Sequence, residues 1–138
     1  MVKILLALLL MLPPLTLQAG DPEFDCLVRN VYQEARSEPR NGKLAVALVT
    51  LNRTDSVRFP STICGVVYQK SQFSWTKNYA KVKVNPIQWQ EAKDAAIEAL
   101  MNRDILGNFN ATHFHNKTVK PRWKLKYVMT IGNHIFYS

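Results

Sequence analysis

Beyond residue 12 the chain has no long apolar run, and beyond Asp104 it has no acidic residue at all. The first absence excludes a membrane-spanning helix from the rest of the chain, since spanning takes about 20 consecutive apolar residues. The one apolar run that exists, residues 4–12, is too short to span. It follows Lys3, is broken by Pro13-Pro14 and leads to a small-residue site at Gln18-Ala19-Gly20. That order is the pattern of a secretory signal peptide over residues 1–19. The expectation is an exported protein of the periplasm or extracellular wall, with no stable membrane insertion after cleavage near Ala19. One domain over 20–138 is then left, large enough to bury a core as a monomer.

Cysteine is scarce: Cys26 and Cys64 are the only two. This excludes a disulfide-dense scaffold, but an even count in an exported chain predicts one bridge. The plain alternative is a pair of buried thiols. Neither cysteine adjoins a histidine, so sequence does not point to a thiol nucleophile. No internal repeat, linker or low-complexity tract is present.

The missing acids leave a charge asymmetry. The formal net charge is +8, and residues 105–138 carry Lys117, Lys120, Arg122, Lys124 and Lys126 unopposed. A basic, acid-free wall favours an anionic partner. For an exported protein that means wall polymers or membrane surfaces rather than nucleic acid. A solvated strand face is the plain alternative.

The first two-thirds read as helices. Asp25 is a candidate cap for a helix running to about Glu38, where Pro39, Asn41 and Gly42 force a turn. Residues 43–53 are apolar nearly all round, the pattern of a central buried helix. Ser61 is placed to cap a short helix through Tyr68, followed by a polar loop over 69–74. Residues 81–84 alternate but are too few to assign. Asn85-Pro86 opens another helix, with Ala92, Ala95, Ala96, Ala99 and Leu100 inward and Glu91, Asp94 and Glu98 outward. Residues 112–115 and 127–136, the latter broken by Gly132-Asn133, read as a small antiparallel sheet. The fold class is α+β, mainly helical, with the sheet near the C-terminus.

Glu34 and Glu38 stand four residues apart in VYQEARSEP. On a helix both would share one face at the margin of the stripe Leu27, Val28, Val31, Tyr32 and Ala35. A half-buried carboxyl there acquires a raised pKa, as a general acid near neutral pH requires. An ordinary solvated pair near a helix end is the plain alternative. Gln72, Phe73, Ser74 and Trp75 in the polar loop, and Trp123 after Pro121, offer hydroxyl-binding groups and faces for sugars to stack on. Tyr32 is placed to orient the acid, although a helix aromatic is more often core, and Phe73 is as readily core as site. His113 and Asn116, in the HFHN run, are counted with this surface.

Four separated blocks, YQEARSEPRNGKLAVALVTLNR, FPSTICGVVYQKSQFSW, HFHNKTVKPRW and TIGNHIFYS, resemble in order and spacing the spore-cortex-lytic cell wall hydrolase family. The resemblance covers essentially all of residues 20–138. It implies a lysozyme-like α+β domain that cleaves peptidoglycan glycan strands as a lytic transglycosylase, without metal or other cofactor. The first glutamate of the E-A-R-x-E block would be the catalytic acid, which here is Glu34. Ser37 stands where the family commonly has glycine. The cysteine pair is not carried over from the family.

The residues themselves argue for the same mechanism. Glycoside hydrolysis normally needs two carboxyl groups flanking the bond, and the expected sheet supplies none. A single acid that protonates the glycosidic oxygen and then takes a proton from the sugar's own 6-hydroxyl fits that shortage. Two other readings stay open. His113 and His115 alternate on one strand with His134 on a neighbour, a potential three-histidine zinc site for a metal-dependent amidase or peptidase. No His-Glu-x-x-His is present. The third reading is a non-enzymatic cationic wall-binding protein.

Overall fold

The computed structural model describes residues 20–69, 72–78 and 83–138. The expected leader over 1–19 and half of the unassigned 81–84 stretch lie outside them. The elements are helices α1 (Pro22–Ala35), α2 (Arg40–Thr54) and α3 (Ile63–Val67), a 3₁₀ turn (Ser74–Lys77), helix α4 (Pro86–Met101), and strands β1 (His113–Asn116), β2 (Tyr127–Ile131) and β3 (His134–Tyr137). The expected α+β architecture holds.

α2 is the axis of the core. Residues 42–51 are buried along its whole length, so it must be surrounded, and α1, α4 and α3 pack on it. The alanines of α4, Ala92, Ala95, Ala96 and Ala99, are buried and permit close helix approach. Asn85 caps α4 as its position implies, accepting from the amides of Ile87 and Gln88.

Three helix boundaries differ from expectation. The cap of α1 is Asp21, which accepts from Glu23 N, and Pro22 opens the helix, so Asp25 lies inside the first turn. α3 is capped by Thr62 rather than Ser61, through a bond from Gly65 N. α1 also stops at Ala35 instead of Glu38. Pro39 disfavours helical backbone at the residue before it, so the chain leaves the helix in a turn closed by Glu38 N donating to Ala35 O at 2.9 Å.

The disulfide is present: Cys26 and Cys64 are bonded, with Cα atoms 5.3 Å apart. It joins α1 to α3, and Glu23 reinforces the junction by accepting from the amides of Ile63 and Cys64 at 2.6 and 3.2 Å. Closing a loop of 38 residues stabilises the fold by on the order of 3 to 4 kcal/mol in the chain-entropy model. Reductant is expected to lower the unfolding free energy by that amount. Thiol titration of the unfolded, unreduced protein should find no free thiol, and two would refute the pairing.

The sheet is antiparallel in the order β1-β3-β2, with an irregularity between Tyr127 and Met129. Its face carrying Phe114 and Phe136 packs on the core beside Phe109. The β2–β3 turn is fixed by Glu38, whose carboxylate accepts from Asn133 N at 3.1 and 3.3 Å. Gly132 is required there: its φ is +55°, and a Cβ would collide with the Glu38 carboxylate.

Candidate active site

Between the helical body and the sheet lies a cleft of about 600 Å³, lined among the described residues by Glu34, Arg53, Gln72, Phe73, residues 113–116, Val119, Trp123 and His134. Glu34 comes from the last regular turn of α1, and Arg53 from the last turn of α2. β1 forms the opposite wall. Glu34 is the only acidic residue on this lining.

Burial pushes the Glu34 carboxyl up to about 7, and the Arg53 guanidinium partly opposes that rise. The group is therefore divided between acid and carboxylate near neutral pH, which suits proton transfer in either direction. Arg53 is 4% exposed. Its Nε donates to Thr112 O at 2.7 Å and its Nη1 to Gln72 Oε1 at 3.0 Å. The guanidinium lies over the rings of Phe59 and Phe73, 4.9 and 5.4 Å from their centroids. Desolvation holds its pKa down at about 10, so it remains a cation at neutral pH. Burial likewise lowers His113, helped by Arg53 and Arg58. Burial also lowers His134 against the opposing Glu38 charge, so its 3.9 Å approach to Glu38 is not an ion pair near neutral pH.

The cleft gathers Glu34, Gln72, Phe73, His113, Asn116 and Trp123 from the sequence candidates and leaves out four. Glu38 does not share a helix face with Glu34, because the helix has ended; it is buried at the base of the β2–β3 turn. Tyr32 is core: its ring neighbours Trp89, and its hydroxyl accepts from Asn85 N at 3.0 Å. Trp75 braces the interior, its indole donating to buried Asn30 at 3.0 Å. Ser74 is exposed on the 3₁₀ turn, off the lining.

The three-histidine site fails on register. β3 pairs with β1 so that Asn116 faces His134 and His115 faces Ile135. Partners across a ladder share a face, so His134 points opposite to His113 and His115. His113 Nδ1 lies 2.9 Å from Thr112 Oγ1, and His115 lies between Asn116 O and Tyr137 Oη. Among the described residues no three His, Cys, Asp or Glu side chains are grouped for a metal.

Arg53 is the site residue that sequence reading missed. The signal was there, a cation in the last turn of a largely apolar helix, but its neighbours come from residues 59, 72, 73 and 112. A second hollow of about 620 Å³ lies between the α1–α2 turn and α4. Among the described residues it holds four acids, each with a partner: Glu98 and Glu91 pair with Arg40 and Lys43, Asp94 accepts from Gln90, and Glu38 accepts from Asn133 N.

Fold and site together define an α+β domain in which one carboxyl with a raised pKa faces a cleft between a helical body and a small antiparallel sheet. The cell wall hydrolase family model matches residues 37–137, beginning just after Glu34. The spore cortex-lytic enzyme of Bacillus cereus is 33% identical over 117 residues, 83% of this chain and 43% of that protein. The Bacillus subtilis enzyme of the same description is 30% identical over 80% of this chain and 35% of its own length. The chain thus spans less than half of these full-length relatives. It aligns with all of the catalytic domain of the germination-specific lytic transglycosylase SleB from Bacillus anthracis, at TM-score 0.74 and 30% identity over 92% of this chain. The Bacillus cereus SleB catalytic domain gives 0.71 over 84%. The chain belongs to the cell wall hydrolase family.

Proposed function

We propose that this domain cleaves the N-acetylmuramic acid to N-acetylglucosamine linkage of peptidoglycan as a lytic transglycosylase, with Glu34 as its one acid–base group. The observation that carries the mechanism is the lone carboxyl: Glu34 is raised by burial, and among the described residues no second acid lines the cleft. A two-carboxylate hydrolase needs a partner about 5 to 9.5 Å away. Protonated Glu34 donates to the glycosidic oxygen as the bond to the muramic C1 breaks. The resulting carboxylate takes the proton of the same sugar's 6-hydroxyl as that oxygen bonds to C1. Glu34 ends protonated, and no water is consumed.

Arg53 holds Gln72 and the β1 entry in place and supplies the positive field that keeps Glu34 able to ionise. His113, Asn116 and Trp123 are the sugar-binding walls, while Phe73, 4% exposed and packed against Phe114 under Arg53, is core beneath them rather than a stacking face. Residues 1–19 direct export to the wall compartment, where the domain works as a monomer; among the described residues no helix is long and apolar enough to cross a membrane.

Mass spectrometry of digested, purified peptidoglycan tests this reading. Anhydromuramic ends are expected, formed equally with and without EDTA. Reducing muramic ends would mean hydrolysis, and freed peptides restored by zinc after chelation would mean a metalloamidase.

A further inference from the structure

Ten residues, 117–126, connect β1 to β2 and form a strap beside the cleft. The strap is tied at both ends. Asn116 Oδ1 accepts from Thr118 N and Oγ1, and Lys126 exchanges two backbone hydrogen bonds with Ser138. Its middle is pinned by Trp123, whose ring sits against His113, His115 and Tyr137 at centroid distances of 5.4, 5.6 and 5.9 Å. Val119 and Trp123 line the Glu34 cleft.

Lys120, Arg122 and Lys124 flank that anchored tryptophan and are exposed. The chain's ten acids all lie at or before Asp104, and among the described residues none of the ion pairs involves a strap residue. Three exposed cations thus stand at alternate positions on the segment that brings Val119 and Trp123 to the cleft, with no acidic partner among the described ion pairs. Mutual repulsion disfavours that arrangement unless an anion joins it.

We propose that this strap is a docking surface for the stem-peptide carboxylates of peptidoglycan, gripping the strand beside the bond to be cut. The proposal rests on the wall-glycan reading and adds to it a substrate class: strands whose peptides carry free carboxylates rather than amides or trimmed stems. A glycan strand repeats its anionic groups along its length, and a row of exposed cations on a segment anchored beside the cleft matches such a repeat. Membrane insertion fits less well, because Trp123 is held in edge contact with His113, His115 and Tyr137 and turned to the cleft lining.

The test compares the protein with K120Q/R122Q/K124Q, which keeps Trp123 and touches no cleft-lining residue. Co-sedimentation on ice uses purified wall freed of phosphate polymers, either native or with its carboxylates capped as amides. The variant is expected to bind native wall about tenfold more weakly, as three exposed charge contacts would give. Capping should weaken the unaltered protein equally and leave the variant unchanged. Raising salt should erase the difference. Turnover of soluble, peptide-free glycan strands should be the same for both proteins. If neither releases anhydro ends from those strands, the catalytic reading fails while the binding comparison still stands. Equal binding of the two proteins to native wall would overturn the proposal. So would a variant defect that persists on capped wall, or vesicles of phosphatidylglycerol capturing the protein through the same three side chains when capped wall binds as well as native.

Discussion

Glu34→Gln is expected to reduce release of anhydro ends from purified wall by at least about 10⁴-fold, with binding to the wall retained. Acid–base assistance is worth roughly 10²- to 10⁴-fold for one transfer, and here one group serves in both. Glutamine keeps the shape of the side chain and cannot cycle a proton. The same substitution should move stability in a direction set by the raised pKa. A carboxyl titrating at about 7 in the folded protein and near 4.5 when unfolded makes the native state bind more protons between those values. Stability therefore falls as pH rises from about 4.5 to 7 and stays reduced above that. Glu34→Gln removes this dependence, so its melting temperature should exceed that of the unaltered protein by on the order of 5 °C at pH 8 and match it at pH 4. A variant that kept a tenth of the activity would move the acid elsewhere. Glu38→Gln separates the roles: it keeps the side chain's size but weakens the acceptor for Asn133 N, so it should cost stability of the β2–β3 turn more than chemistry.

Arg53→Met should cost on the order of 2 to 4 kcal/mol of stability, because charge-assisted bonds to Thr112 O and Gln72 Oε1 are lost and the carbonyl at 112 is left buried without that donor. Its more telling effect is on the pH profile. Arg53 is the group that holds the Glu34 carboxyl down against desolvation, so removing its charge should raise Glu34 further. The pH–rate limb that reports loss of the acid's proton would then shift upward. Arg53→Lys keeps the charge without the planar fork, so it should restore the limb towards its original position while recovering little of the stability. A profile unmoved in Arg53→Met would deny Arg53 any role at the acid.

Much of the fold was legible because local signals agreed with one another. The all-apolar run at 43–53 had to be a surrounded helix, Asn85-Pro86 had to open one, and Gly132-Asn133 had to turn a hairpin. The bond between Cys26 and Cys64 followed from an even cysteine count behind an export signal. Glu34 could be singled out as a candidate acid because its place at the edge of an apolar stripe is a property of helix periodicity.

Partnerships across the chain were not legible, since contact between distant residues has no local signature. Glu38 looked like the neighbour of Glu34; Pro39 ended the helix first, and the fold assigned that carboxylate to Asn133, far along the sequence. His134 looked like a companion of His113 and His115 until the strand register put it on the other face. Trp75 and Tyr32 carry polar groups that read equally as site or brace, and buried Asn30 and Asn85 N claimed them. Sequence alone determined the helices, the hairpin, the charge asymmetry and the single candidate acid. Tertiary structure alone decided which buried cation faces that acid, because desolvation and Coulomb interaction depend on what lies within a few ångströms in space.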